Sequence, residues 1–424
     1  MPNFSIPLSG LDASSAALST AANNLANLNT IGYKDQQIQF ADLFYQNLGS
    51  DGAGDPVQQG AGVKVSSQPS NFTQGDVTST GVDTDVAING NGFFVVQQNG
   101  VQSYTRAGNF EVGTNNLLET AGGQQVLGYP AVNGVVNTSQ GLGTISLGAG
   151  AISPAAVTAN VTLTSNLDAT AAVGSTYSTQ ATIYDSLGGS HAITFTYTKT
   201  ATNTWDYNVT IPAADINGAT APVSVGSGTL VFNGDGTLAT PTKNPTITVP
   251  PVPLVTDPVT PQSTFADGAN QLSFTWNLAN AAGTGLLTQL AGANSTASIQ
   301  QDGTSSGTLE KFSIGSDGTI TGSFSNGTTT TLGQIALASF ADEQGLSRNG
   351  GNDFSPTLAS GQPTVGGPTS GGLGSISGGA LEQSNVDIAT EFASLIVAQR
   401  TYEANARVVT TFDTIAQDTI ALKQ

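Results

Sequence analysis

The chain runs to 424 residues and carries 29 Asp and Glu against 10 Lys and Arg, a formal net charge of −19. That length suits two or three domains, and so acidic a surface has no general attraction for phosphate backbones, which argues against nucleic-acid binding. The chain has no cysteine and one histidine, His191, which excludes disulfides, Cys-ligated zinc, thiol catalysis and His-pair metal sites.

From Phe4 to Asn29 the apolar positions step by four and three. Phe4, Leu11, Leu18 and Leu25 form one row, and Leu8, Ser15, Ala22 and Asn29 the other, which predicts a helix with a heptad-like seam. Pro7 suits a first turn, and Asn29, Thr30 and Gly32 are stop signals. Ala, Ser and Asn crowd the stripe and allow close helix approach. The start does not resemble a secretory signal, since its first basic residue is Lys34. No apolar run is long enough to span a membrane. Gly49 to Gly62 reads as irregular chain leaving the helix.

The middle, roughly 75 to 340, reads as all-β. Runs such as Phe93-Phe94-Val95-Val96, Ala192 to Tyr197 and Gln271 to Trp276 are rich in β-branched and aromatic residues. The chain has eight Asn-Gly and five Asp-Gly dipeptides, nearly all of them in this middle, the strongest short-range hairpin signal. Meandering antiparallel sheets in barrel- or sandwich-like domains are expected. Residues 120–167 carry no charge and approach a seam between two such domains. Pro241 to Pro261 holds seven prolines, centred on Pro250-Pro251-Val252-Pro253, and reads as an extended edge or loop. The Gly/Ser/Pro-rich run 360–379 reads as a linker.

At the far end Ile388, Phe392, Leu395, Tyr402, Ala406, Val409, Ala416 and Ile420 fall on a second seam, widened by Ile396, Val397, Val408, Phe412 and Ile415. Ser384 and Asp387 read as a capping box ahead of a helix over 386–422. Helix is thus expected only at the termini. The expected organisation is a coiled-coil part (1–35 with 385–424), an extended connection (36–75 with 360–384), an inner β-domain (76–157 with 305–359) and an outer one (158–304).

Catalytic and ligand motifs are not found. There is no phosphate loop, Asn89-Gly90-Asn91-Gly92 reads as a turn, and Asp83-Thr84-Asp85 begins like a calcium loop but continues with Ala87 and no closing Glu. His191, after Gly188-Gly189-Ser190, reads as a partly exposed histidine beside a turn. Trp205 and Trp276 read as core or half-core residues. No catalytic, cofactor or metal residue is assigned. The terminal helices admit two readings: they dock on their own chain, or they pack on copies of themselves, where a non-closing contact builds a helical filament. Flexible-looking links to both helices favour the second.

Residues Ala21 to Lys34, containing Asn23-Asn24-Leu25, Asn27-Leu28-Asn29-Thr30 and Gly32-Tyr33-Lys34, resemble the N-terminal signature of the bacterial flagellar rod and hook axial proteins. Ala87 to Phe94 with Tyr104-Thr105-Arg106-Ala107-Gly108-Asn109-Phe110 is similar to their β-domain motif. Leu381-Glu382-Gln383-Ser384-Asn385-Val386-Asp387 and Gln399-Arg400-Thr401-Tyr402-Glu403-Ala404-Asn405 resemble their C-terminal signature. Tyr184 to His191, Asn203-Thr204-Trp205 and Ala338 to Leu346 resemble the hook members in particular. The match fades around 200–300.

The resemblance implies a structural subunit of the hook, a flexible curved tube that carries motor torque to the filament, in the bacterial flagellum outside the cell. It implies no enzymatic activity and no cofactor. Implied partners are copies of the chain, the flagellar rod, hook cap and hook–filament junction proteins, and the type III export apparatus, with no cleaved signal and no membrane insertion. A distal rod or other axial protein is the alternative within the family, and a β-rich adhesin or carbohydrate-binding protein the alternative outside it. Helix packing between subunits is expected of Leu11, Leu18, Leu25, Leu28, Phe392, Leu395, Ile396, Tyr402, Val409 and Ile420.

Overall fold

The computed structural model describes residues 4–50, 55–147, 152–249, 265–280 and 282–421. The prolines at 250–261 lie outside the described residues. The chain divides into two compact units, one of residues 1–148, 311–322 and 330–424, the other of 149–310 and 323–329. Most of the regular structure is strand, and the two α-helices lie at the ends, α1 at Ser5–Ala26 and α2 at Ile388–Ala421.

In the first unit the run Phe93–Gln98 is the middle of the sheet. It pairs with Val101–Thr105, Gln125–Val132 and Leu337–Ser339. Asn99 and Gly100 close the first hairpin with φ of 51° and 84°, as a two-residue primed turn requires. Both strand faces are covered, which explains the unbroken apolar run. Phe94 and Val96 join Val86, Ile88, Leu118 and Ile335 in one core. Phe93 and Val95 join Tyr104, Leu127 and Phe354 in a second, where the Phe93, Phe354, Phe72 and Phe340 rings meet edge-on or tilted.

Two stretches read as irregular carry paired strands. Gln46–Ser50 overlaps the start of the segment taken for loose chain and pairs with Pro56–Gln59 within it. The Gly/Ser/Pro-rich run read as a linker carries Thr364–Gly366, paired with Leu337–Ser339, and Ser375–Gly378, paired with Val86–Asn89. Strand partners far away in sequence supply backbone hydrogen bonds that local composition cannot reveal.

The second unit is built from two five-stranded sheets. One is an antiparallel meander through Thr176–Tyr184, Ser190–Ala201, Thr204–Ile211, Val223–Phe232 and Leu238–Thr240. In the other, Asn160–Asn166 runs parallel to Leu272–Asn277 and to Leu287–Thr288, a departure from the purely antiparallel expectation. Strict inside–outside alternation, as in Ser190–Ala201, places Ile193, Phe195 and Tyr197 in a core with Trp205 and Trp276. Trp205 donates its indole N–H to Gln289 at 3.2 Å. His191 belongs to the buried set, at 5% exposure. The partly exposed histidine expected beside the turn is not what the fold makes, because segments at 213–215 and 265–267 cover it.

Candidate self-assembly surface

The two terminal helices pack antiparallel within the chain. Phe4 meets Phe412 edge-on with ring centroids 5.9 Å apart. A Cβ on Gly10 would lie 2.7 Å from Asn405 Nδ2, so glycine permits the contact there. Asn24 donates to Glu391 Oε1 at 3.0 Å. The face that α1 turns to its own chain is made of small or polar residues: Pro7, Ala13, Ser14, Thr20, Ala21 and Asn24 are its buried positions. Leu11, Leu18, Leu25 and Leu28 are only half-buried, while Leu8, Ser15, Ala22 and Asn29 face solvent.

On α2 the shielded positions step through Glu391, Leu395, Ala398, Asn405, Val409 and Phe412, at the four-three spacing of a seam. Most of the other large apolar residues of α2 are exposed. Phe392 is 47% exposed, Ile396 55%, Val397 64%, Tyr402 42% and Ile420 67%. Beside them an open apolar groove of about 620 Å³ is lined by Ile6, Ala13, Ala17, Phe40, Val397 and Ala398. The isolated chain thus leaves several large side chains of α2 in water, each worth roughly 1.5–3 kcal/mol if fully buried.

Where the helices join the β-structure, the signature residues form a polar joint. Asn24 is buried and uses its whole amide: Oδ1 accepts from the Gln36 N–H at 3.0 Å and the Tyr33 hydroxyl at 3.2 Å, and Nδ2 donates to Gln36 O at 2.8 Å. Asn23 Nδ2 donates to Tyr33 Oη at 3.4 Å. Asn27 caps the helix end and accepts from Thr30 Oγ1 at 3.1 Å. Asn385 Oδ1 accepts from the Asp35 N–H at 2.8 Å while Nδ2 donates to Asn71 O at 2.8 Å, and Val386 is buried. The Arg348 guanidinium lies over the Tyr33 and Phe354 rings, 5.4 Å from each centroid, and Asn352 Nδ2 donates to Ile31 O at 2.7 Å. The links to the helices are therefore tied down, contrary to the flexible links expected.

At the centre of the joint lies a buried charge cluster. Lys34 Nζ is 2.6 Å from Glu382 Oε1 and donates to Thr73 O at 2.7 Å. Arg106 stands 3.4 Å from Glu382 Oε2 and donates to Gly90 O at 2.8 Å. Burial holds the Lys34 ammonium and the Arg106 guanidinium below their ordinary values, with Glu382 opposing in both cases. Gly32, at φ +67°, passes so close to the strand that a Cβ would lie 2.7 Å from Ala107 N. Lys34, Arg106 and Glu382 each come from a different motif, and none was assigned a role from the sequence. Charged residues buried in a chain with so few charges were the available signal.

The helix cap also differs from expectation. Asp387 alone caps α2, accepting from the Thr390 N–H at 2.7 Å, while Ser384 Oγ accepts from Val386 N–H at 3.4 Å. Gln399 and Arg400 are exposed and reach Glu403 at 3.4 and 3.5 Å.

Comparison with known proteins gives matches along most of the chain. Residues 6–34 match the flagella basal body rod protein family, 87–166 the flagellar hook protein FlgE/F/G D1 domain, 152–304 the flagellar basal body protein FlaE D2 domain, and 377–422 the flagellar basal body rod FlgEFG protein C-terminal family. The flagellar hook protein FlgE of Salmonella typhimurium is 34% identical, covering 99% of this chain and 100% of its own. That of Escherichia coli K12 is 33% identical at the same coverage, and that of Borreliella burgdorferi 32% identical, covering 98% of each. The crystal structure of Helicobacter pylori flagellar hook protein FlgE2 aligns to 70% of this chain and 98% of its own, at 14% identity and a TM-score of 0.47.

Proposed function

This chain belongs to the flagellar hook protein FlgE family, and from that membership we propose that its terminal helices are the elements by which hook subunits hold one another. As a hook protein it is a structural subunit of the flagellum that polymerises with copies of itself. The observation that carries the helix reading is the set of exposed large apolar residues on α2, Phe392, Ile396, Val397 and Ile420. Its burial against neighbouring copies supplies the driving force, and Leu11, Leu18, Leu25 and Leu28 complete the contact from α1. A non-closing contact of this kind yields a helical tube. Relative sliding of the β-units of successive subunits lets the tube bend while the helices carry torque.

The other partners follow from the place of the hook between motor and filament: the rod below, the hook cap during growth, and the hook–filament junction proteins above. Delivery is by the type III export apparatus as an unfolded chain, and the absence of cysteine means that no disulfide obstructs that passage. The role is structural and not enzymatic.

Electron microscopy of the concentrated full-length protein, beside a version lacking residues 1–29 and 388–424, tests the reading. These limits keep Lys34, Glu382 and Asn385, which belong to the joint of the first unit. Curved tubes are expected from the full-length chain alone. Tubes from both versions would remove the helices from the assembly.

A further inference from the structure

In the second unit three carboxylates converge on the only histidine of the chain. Asp185 follows the strand Thr176–Tyr184, His191 opens Ser190–Ala201, Asp215 ends the short turn Ala213–Asp215, and Asp267 lies just before Leu272–Asn277. His191 stacks on Phe265 with centroids 4.5 Å apart, which shields one face of the ring. Its Nε2 is 2.8 Å from Asp185 Oδ2 and 4.0 Å from Asp267 Oδ2, and its Nδ1 is 3.3 Å from Asp215 Oδ2.

The oxygens that do not face the ring are already used. Asp185 Oδ1 accepts the N–H groups of Leu187 and Gly189 at 2.7 and 2.9 Å, and Asp267 Oδ1 accepts that of Ala269 at 3.0 Å. Nε2 and an oxygen of each of these two carboxylates fall within 4.8 Å of one another. Two donors at ~2.1 Å from one ion and at right angles stand about 3 Å apart, close to the 2.8 Å between Nε2 and Asp185. Gly189 borders the space: a Cβ there would lie 2.7 Å from Asp185 Oδ2 and 2.8 Å from Asp267 Oδ2.

Nδ1 is a second, independent pointer. It is buried without a hydrogen-bond partner of good geometry, and Asp215 is the carboxylate beside it. An imidazole that ligates a metal through one nitrogen ordinarily directs the other N–H to a carboxylate, which fixes the tautomer. With the proton on Nδ1, the Nε2 lone pair faces two carboxylates, a repulsion that a cation relieves. Among the described residues neither lysine nor arginine forms an ion pair with any of the three aspartates.

We propose that Asp185, His191 and Asp267 are a binding site for a divalent transition metal, with Asp215 orienting the imidazole. One nitrogen with two carboxylates, and a side open through the 40%-exposed Asp267, suits Zn²⁺ or Mn²⁺ with water completing the sphere, in preference to the all-oxygen ions Ca²⁺ and Mg²⁺. The ion ties the turn between Asp185 and His191 to the segment of Asp267.

Because His191 is the only histidine, ¹⁵N-histidine labelling of the full-length, tag-free chain gives a single imidazole to watch while Zn²⁺ is added. The expected result is one ion per chain, a shift of Nε2 on binding, retention of the proton on Nδ1, and a raised unfolding midpoint. Asp267→Asn, at an exposed position, and His191→Gln should abolish the shift in midpoint. Asp215→Asn should weaken binding about 10–100-fold. An Nε2 that keeps its proton in excess Zn²⁺ would reduce the site to a proton-bridged His–Asp pair and overturn the proposal, as would binding unaffected by either of the first two variants.

Discussion

Lys34 and Glu382 stand 348 positions apart in the sequence, yet their charged atoms are 2.6 Å apart and neither side chain touches water. Glu382 also faces Arg106, so one carboxylate serves two cations. Breaking a buried pair by removing one partner costs about 3–5 kcal/mol, because the other is left buried and uncompensated. Glu382→Gln strands both cations, whereas Lys34→Met leaves Glu382 with Arg106. Urea unfolding should therefore rank Glu382→Gln as the more destabilising of the two. Equal losses would mean that Arg106 takes no share of the carboxylate.

Gly32→Ala meets two obstacles at once, a positive φ and a Cβ against the backbone of Arg106 and Ala107. Strained backbone of this kind costs on the order of 1–3 kcal/mol, and the contact adds to it. The expected reading is a lower thermal midpoint for the first unit. Gly100→Ala, where a Cβ would meet nothing, is the control that carries the φ penalty alone and should lose less.

Ile396→Asp and Phe392→Asp place a charge on the exposed row of α2. Surface changes of this sort usually move stability by no more than about 0.5 kcal/mol, so the monomer should unfold at its ordinary midpoint while polymers vanish from micrographs. Leu395→Asp differs, since Leu395 is half-buried in the seam that holds Glu391 and Asn405 against α1, and should loosen the helix pair of the monomer as well. Normal tubes from Ile396→Asp and Phe392→Asp would refute the assignment of this row.

In the second unit Asp302 accepts from the Ala159 and Asn160 backbones at 2.8 and 2.9 Å and from Asn160 Nδ2 at 2.8 Å. Burial alone would raise its carboxyl, but these bonds outweigh that and hold it below the ordinary range. Below the ordinary value of ~4 the unfolded chain takes up protons before the folded one does, so stability falls as pH drops. Above that value its contribution is fully present. Acid titration followed by tryptophan fluorescence should show this loss, and Asp302→Asn should flatten it.

Much of this was readable in advance because it is local. The four-three steps from Phe4 and from Ile388 mark helices, and Asn99-Gly100 marks a hairpin, since each depends on neighbours a few residues away. Which side of α1 faces its own chain was not readable. Both sides obey one period, and the inward side proved to be the small residues around Ser14 and Ala21 rather than the leucines. The burial of His191 depends on Asp215 and Phe265, and the parallel course of Asn160–Asn166 depends on a strand more than a hundred residues later. Nothing near either stretch encodes those partners.

Lys34 belongs to the N-terminal signature, Arg106 to the first β-segment and Glu382 to the approach to the last helix. Both cations depend on the one carboxylate from the far end of the chain, so a chain cut short before residue 382 has two cations at this joint with no carboxylate between them. The joint therefore works as a test of completeness. A fragment from an interrupted synthesis lacks the one residue that closes it, and an unfinished subunit is at a disadvantage in folding before it can compete for a place in the growing tube.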